Sequence, residues 1–251
     1  MQKILLTLLF IFATSVLSFS EELTVAVASN VQFTFEELKS VFEKETGITI
    51  KDTIGSSGKF CMQIENGAPF DVFLSADMDY PEKLEEKGFT LNAPKIYAYG
   101  KLVIWTMNDL DLSKGIAIVT DAAIKNIAVA TIQTAPYGRE AVNVLKHYNL
   151  YSQINDKLVY GESLSQANQF IFSKAADLGF TAKSVVLSSN MKNQGKWIEV
   201  KQDAYEPIAQ GAVILKSAQT HHLVAAQRFF DFLFSEKARA IFEKYGYSLP
   251  R

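Results

Sequence analysis

A short apolar run rich in β-branched residues, then a turn of small polar residues, then an amphipathic helix: this unit recurs along the chain. That recurrence restricts the possible folds more than any other feature of the sequence. Leu23–Ala28 (LTVAVA) reads as a buried strand and Ser29-Asn30 as the turn. Phe33–Glu45 follows, with Phe35, Leu38, Val41 and Phe42 at helical spacing, and Gly47 stops it. Ile48–Ile54 is a second strand. Gly55-Ser56-Ser57-Gly58 then runs into a short helical stretch carrying Phe60, Cys61 and Ile64, a Gly67–Pro69 turn, and a third strand at Val72–Ser75. Asp79 and Glu82 read as the N-cap and capping-box glutamate of a helix that Gly88 ends. The order βαβαβα predicts a mostly parallel sheet covered by helices.

Tyr97–Thr106 (YAYGKLVIWT) reads as a long strand, and Gly100 in its middle is a place for the chain to bend into a second lobe. The alternation then restarts. Ile127–Thr131, Leu158–Tyr160 and Asp177–Thr181 are expected strands, and Glu140–Tyr148, Leu164–Lys174 and a helix beginning at Lys183–Leu187 are expected helices, with Pro136-Tyr137-Gly138 as a turn. Trp197–Val200 closes that half, and Tyr205–Lys216 (YEPIAQGAVILK) is a second long strand that returns to the first lobe, followed by helices over His222–Phe234 and Glu236–Tyr245. The expected fold class is therefore α/β in two lobes, each a mostly parallel sheet flanked by helices, joined by two strand crossovers. Residues 21–101 and 206–251 would form one lobe and 102–205 the other.

In parallel α/β sheets, ligands bind outside the carboxyl ends of the strands. The turns that lie there are Ser29-Asn30, Ser56-Ser57-Gly58, Pro136-Tyr137-Gly138 and Glu162–Ser165. A loop of small residues entering a helix leaves backbone N–H groups without an intrahelical partner. Each helix start also carries roughly half a positive charge, so four meeting at one point would offset about two negative charges without any Lys or Arg. Such a neutral cage of donors suits an ionised oxyanion.

Catalytic readings find less support. Gly55–Lys59 has two residues between its glycines and Phe60 after the lysine, whereas a P-loop needs four and a Ser or Thr. Ser57 is not in G-x-S-x-G and has no His-Asp pair beside it. His147, His221 and His222 with one cysteine make no metal-ligand spacing, so no metal is expected except within an oxyanion. Asp71 and Asp77 flank a strand and read as turn or capping groups, Arg139 as a solvent-facing residue in a first helical turn, and Cys61 as a small buried hydrophobe. A formal charge of −2 offers no basic excess for nucleic acid.

The first twenty residues read as an address. Lys3 supplies a positive start, Ile4–Val16 is almost wholly apolar, and Ser18-Phe19-Ser20 offers small residues for cleavage after Ser20. An uncleaved anchor is the alternative. Cleavage would remove one Lys and take the charge from −2 to −3. Export is the expectation, with no internal disulfide possible from a single cysteine.

Several motifs together, in order, resemble the periplasmic molybdate-binding proteins of bacterial ABC importers. They are ASN at 28–30, GSSGKFCMQIENGAPFDVFLSAD at 55–77, APYG at 135–138, DLGFTA at 177–182, the YEPIAQGAVILK return strand and the terminal Tyr245-Gly246-Tyr247. The resemblance spans Leu23 to Pro250. It implies the type II periplasmic-binding-protein fold closing over a bare molybdate or tungstate dianion, with no cofactor, an ABC-transporter permease as partner, and a monomer. It places ligand contacts on Ser29, Asn30, Ser57, Tyr137 and Leu164, with Ser56, Gly58 and Ser163 as secondary candidates. Ser29 and Ser57 would give hydroxyl and backbone donors, and Asn30, Tyr137 and Leu164 backbone N–H groups. One position departs: where some members put a tyrosine hydroxyl on the anion, this chain has Ala182. A carrier for sulfate or another tetrahedral oxyanion is the alternative within the same class. An enzyme would need a titratable group in the cleft, and a sensor an output module or membrane span after residue 251.

Overall fold

A computed structural model describes residues 21–250, so the expected export signal lies outside the described residues. Two five-stranded sheets organise the chain. The first contains β1 (Glu22–Ala28), β2 (Thr49–Gly55), β3 (Val72–Leu74), β4 (Lys95–Gly100) and β10 (Ile208–Ile214), in the order β2-β1-β3-β10-β4. The second contains β5 (Leu102–Thr106), β6 (Ile127–Ala130), β7 (Leu158–Gly161), β8 (Leu178–Ala182) and β9 (Lys196–Glu199), in the order β7-β6-β8-β5-β9.

Both sheets are parallel except for one strand each. β1 runs parallel to β2 and β3, and β6 to β7 and β8. β10 is antiparallel to both β3 and β4, and β5 to both β8 and β9. The reversed strands are the two that carry the chain between the sheets. The expected single strand over 97–106 is in fact β4 and β5, broken at Lys101. There the Leu102 N–H donates to the Tyr205 hydroxyl at 3.1 Å rather than continuing a ladder.

The helices cover both faces. On the first sheet, α1 (Gln32–Thr46), α8 (Leu223–Phe232) and α9 (Glu236–Lys244) bury Phe35, Phe42, Phe229 and Phe242; the Phe42 and Phe229 rings meet edge to face at 5.1 Å. On the opposite face, α2 (Ser57–Glu65) and α3 (Asp79–Glu86) bury Phe60, Cys61, Phe73 and Leu84. The second sheet is covered by α4 (Pro136–His147), α5 (Tyr151–Ile154), α6 (Leu164–Phe172) and α7 (Lys183–Leu187), around Trp105, Val129, Leu145, Ile171 and Phe180. Trp105 sits directly across the ladder from Trp197.

Two helix starts differ from their sequence reading, both for local reasons. α4 begins at Pro136 rather than Glu140, so Pro136-Tyr137-Gly138 is its first turn; proline at the first helical position loses no hydrogen bond. Asp79 is the first residue of α3 and not its cap. Instead Asp77, two residues earlier, accepts from the Tyr80 N–H at 3.4 Å.

Candidate functional site

The carboxyl ends of β1, β2, β3, β6 and β7 point at one small cavity between the two sheets. Its lining is Ala28, Ser29, Asn30, Gly55, Ser56, Ser57, Ala76, Ala135, Pro136, Tyr137 and Leu164. The cavity is small, about 10 Å³. No lining side chain carries a charge.

Four helical segments start on this cavity. Ser29 and Asn30 form the helical turn that precedes α1, Ser56 caps α2 and Ser57 is its first residue, Ala135 caps α4, and Leu164 is the first residue of α6. The first N–H groups of a helix have no partner within it, and the macrodipole makes that end positive. A cavity built from helix starts therefore presents converging donors and positive potential while containing no base. It can hold an anion, and it offers nothing to protonate or deprotonate one.

The hydroxyls are oriented by what holds them. Ser57 Oγ accepts from the Ala76 N–H at 2.9 Å, which leaves the hydroxyl proton available to donate. Ser29 Oγ donates to the Gly55 carbonyl at 2.9 Å, so an anion would compete with that bond for its proton. The Asn30 side-chain amide points away to Gln210 Oε1 at 2.8 Å, and the Asn30 backbone carbonyl accepts from Ser184 Oγ at 2.7 Å. Tyr137 likewise turns its phenol away from the cavity: Gln210 Nε2 donates to it at 3.2 Å. Burial pushes the Tyr137 hydroxyl far above the usual phenol range, so it stays neutral. Asn30, Tyr137 and Leu164 thus line the cavity near their main chains, as expected of residues acting through backbone N–H.

All five residues assigned by the resemblance line the same cavity, and so does Ser56. The other two secondary candidates stand beside it. Ser163 caps α6, accepting from the Gln166 N–H at 3.3 Å. Gly58 donates its N–H across the cleft to the Thr134 carbonyl at 2.9 Å. A Cβ there would lie 2.8 Å from Thr134 Cα, so glycine is what allows the two backbones to approach. Ala182 is the N-cap of α7 and is not among the lining residues.

The rim is closed by bonds from one lobe to the other. Ser56 Oγ donates to Thr134 Oγ1 at 3.2 Å, the Tyr80 hydroxyl to the Gln133 carbonyl at 3.1 Å, and Ser165 Oγ to Gln32 Oε1 at 2.9 Å. Lys59 pairs with Glu162 at 2.6 Å.

Arg139 corrects its sequence reading. It is half-buried, and it reaches from α4 to the Asp77 carboxylate and to Asp79 at 3.1 Å. Burial raises the Asp77 carboxyl above the ordinary range, and Arg139 only partly offsets that. The two carboxylates outweigh burial at Arg139 and hold its guanidinium charged. Its charge is thus spent on holding the lobes together. Sequence reasoning had no local signal for this pair, because the partners lie 62 residues apart.

Asp71 also has a structural role. It accepts from the Thr24 N–H and hydroxyl, each at 2.7 Å, and lies 3.1 Å from His222 Nδ1. Cys61 is buried, and burial pushes its thiol up to about 11.

Comparison with known proteins agrees with this geometry. The family model described as bacterial extracellular solute-binding protein matches residues 23–248. The molybdate-binding protein ModA of Azotobacter vinelandii is 41% identical over 229 residues, covering 91% of this chain and 90% of that protein. ModA of Rhodobacter capsulatus is 39% identical over 90% of this chain and 88% of its own length. The solved structure of the Azotobacter vinelandii periplasmic molybdate-binding protein superposes with a TM-score of 0.86 at 38% identity, covering 91% of this chain and all of that one. The two mixed sheets, the anion-suited cavity between them and the match across nearly the whole chain place this protein in the bacterial extracellular solute-binding family, with the type II periplasmic-binding-protein fold.

Proposed function

We propose that this protein captures molybdate, and tungstate with it, between its two lobes and delivers the anion to the membrane permease of an ABC importer. The observation that carries the reading is the charge-free cavity on which four helical segments begin. A tetrahedral dianion is met there by N–H and O–H donors from both sides. Ser29 and Ser57 give hydroxyl and backbone donors, and Asn30, Tyr137 and Leu164 give backbone N–H groups. The names of the Azotobacter vinelandii and Rhodobacter capsulatus relatives, molybdate-binding proteins, point to the same ligand.

In this reading residues 21–101 and 206–251 make one lobe and residues 102–205 the other. The chain is exported, acts as a monomer and performs no catalysis. An open form exposes both sets of helix starts, and an anion that bridges them favours the closed form by its differential affinity. Closure excludes water and so strengthens each charge–dipole contact.

The test is a titration of the purified protein, by calorimetry and thermal shift, with molybdate, tungstate, sulfate, phosphate and perchlorate. Ligand at about 100 times its Kd should stabilise the fold by about 2.7 kcal/mol. Molybdate and tungstate should produce that stabilisation and sulfate little of it. An equal response to sulfate would make the protein a broader oxyanion carrier. Silence to all five would overturn the reading.

A further inference from the structure

The hinge and the cavity are joined through one side chain. Gln210 lies on β10, the strand that returns the chain to the first lobe, at a register shift between Gln210 and Gly211. Its side chain is fully buried. Gln210 Oε1 accepts from Asn30 Nδ2 at 2.8 Å and from the Tyr97 hydroxyl at 2.8 Å. Gln210 Nε2 donates to the Tyr137 hydroxyl at 3.2 Å. Asn30 and Tyr137 line opposite walls of the cavity, one from each lobe. A single amide therefore ties the two walls together.

The other crossover completes the socket. Gly100 ends β4 next to the break at Lys101, and a Cβ added to it would fall 1.9 Å from the Tyr137 hydroxyl and 2.5 Å from Gln210 Nε2. The Tyr137 ring thus runs from the start of α4, at the cavity, to a slot between the two crossover strands. Its hydroxyl sits beside Gly100, next to the break between β4 and β5, while the residue itself lines the cavity.

We infer that Gln210 is a positioning residue that sets the spacing between the ligand donors of the two lobes. It does so by holding Asn30 and the Tyr137 phenol at the hinge. This inference rests on the oxyanion-carrier reading. Glutamine is suited because the site needs an acceptor for two donors and a donor for the phenol, within one neutral group. A carboxylate would supply the acceptors, and the Tyr137 hydroxyl would turn to donate to it, but its charge would oppose a dianion through the same short network. An apolar chain of equal length would remove the 2.8 Å bonds from the Asn30 amide and the Tyr97 hydroxyl and the bond donated to the Tyr137 hydroxyl. Tyr97 would keep the Ser75 carbonyl at 3.2 Å and Asn30 Nδ2 the longer contact to the Tyr247 hydroxyl at 3.4 Å. The Tyr137 phenol, however, would lose the donor that holds it, and Asn30 Oδ1 is already buried with no partner.

The test compares the parent with Q210M, Q210E and Y137F. Molybdate affinity is measured by calorimetry over a pH series, and thermal unfolding is followed without ligand. Q210M should lose affinity by about tenfold or more at every pH. Q210E should bind weakly at neutral pH and recover as acid protonates the new carboxyl. A merely structural residue would lower the melting temperature of both variants without that pH-linked recovery. Y137F, which removes one hydroxyl only, should fold and lose affinity severalfold. Q210M binding within about twofold of the parent would overturn the inference. If Q210M does not fold, parent-like affinity in Q210E and Y137F at all pH values would overturn it equally. Failure of the parent itself to bind any of the oxyanions would instead bring down the functional reading, and that is read from the parent alone.

Discussion

Replacing Ser57 with alanine should separate binding from stability, because the hydroxyl does two things at once. Its oxygen accepts from the buried Ala76 N–H at 2.9 Å, and its proton is left to donate into the cavity. Ser57 is 1% exposed, so no solvent replaces either bond without entering the site. The donor lost to an anion is charge-assisted, worth about 1.5–3 kcal/mol, which is about 10- to 150-fold in Kd. The Ala76 N–H left without an acceptor costs about 1–3 kcal/mol in the folded protein, ligand or no ligand. In a chain of this size that is about 2–4 °C of melting temperature for each kcal/mol. Calorimetry with molybdate measures the first effect, and thermal unfolding without ligand measures the second. Unaltered affinity with a lowered melting temperature would refute the argument that the Ser57 hydroxyl faces the ligand. An unaltered melting temperature with lowered affinity would instead show water taking over at Ala76.

Gly58→Ala should weaken molybdate binding by about tenfold or more, because the added Cβ would lie 2.8 Å from the Thr134 Cα of the opposite lobe. Its other near contact, the Tyr80 hydroxyl at 2.6 Å, is the end of a flexible side chain, so ligand-free stability should change less. Equal affinity, measured by calorimetry, would mean that Gly58 and Thr134 need not approach for the ligand to be held. The Cys61 thiol, pushed up to about 11 by burial, should resist a disulfide reagent in the native protein at about pH 8 and react fully once denaturant is added. Rapid native labelling would contradict its burial. Alkaline titration should destabilise the fold. Burial raises the Tyr247 phenol to about 12 and moves the Tyr97 and Tyr137 phenols well up, so the folded state favours their neutral forms. That contribution is fully present below the ordinary phenol value of about 10 and is lost as pH rises from there through the raised values. Thermal melts across that range should show a progressive fall, and a flat profile would exclude these buried phenols.

Much of the fold could be read from local signals, since a parallel α/β layout is written in short strands, turns and helices that follow one another. Strands β1, β3 and β6 are nearly continuous apolar runs because both their faces are covered. The return of the chain through a second long strand was visible in Tyr205–Lys216 for the same reason. What escaped the sequence depends on distance along the chain. Arg139 resembles any polar residue in a first helical turn until Asp77 is brought to it from 62 positions away. The first turn of α4 is hidden in the sequence because Pro136 and Gly138 are ordinary turn residues, although proline is equally at home in the first turn of a helix. Gln210 gave no signal at all. It is a glutamine in an otherwise apolar strand, and its partners lie 73, 113 and 180 residues away. The cavity was more accessible than these, since each wall is a helix start with its own local signature and the topology brings the starts together.

The pairing of Trp105 with Trp197 has a practical consequence for anyone who follows this protein in solution. These are its only tryptophans, and both belong to the second sheet. Indole emission is therefore an optical report from one half of the molecule. The first sheet packs under phenylalanine rings, Phe35, Phe42, Phe229 and Phe242 among them, which are silent when tryptophan is selectively excited. A denaturation curve recorded by indole fluorescence follows the second half alone, and one recorded by backbone circular dichroism follows both. Superposition of the two curves would show the halves melting as a single cooperative unit, and a gap between them would give the stability of each half separately.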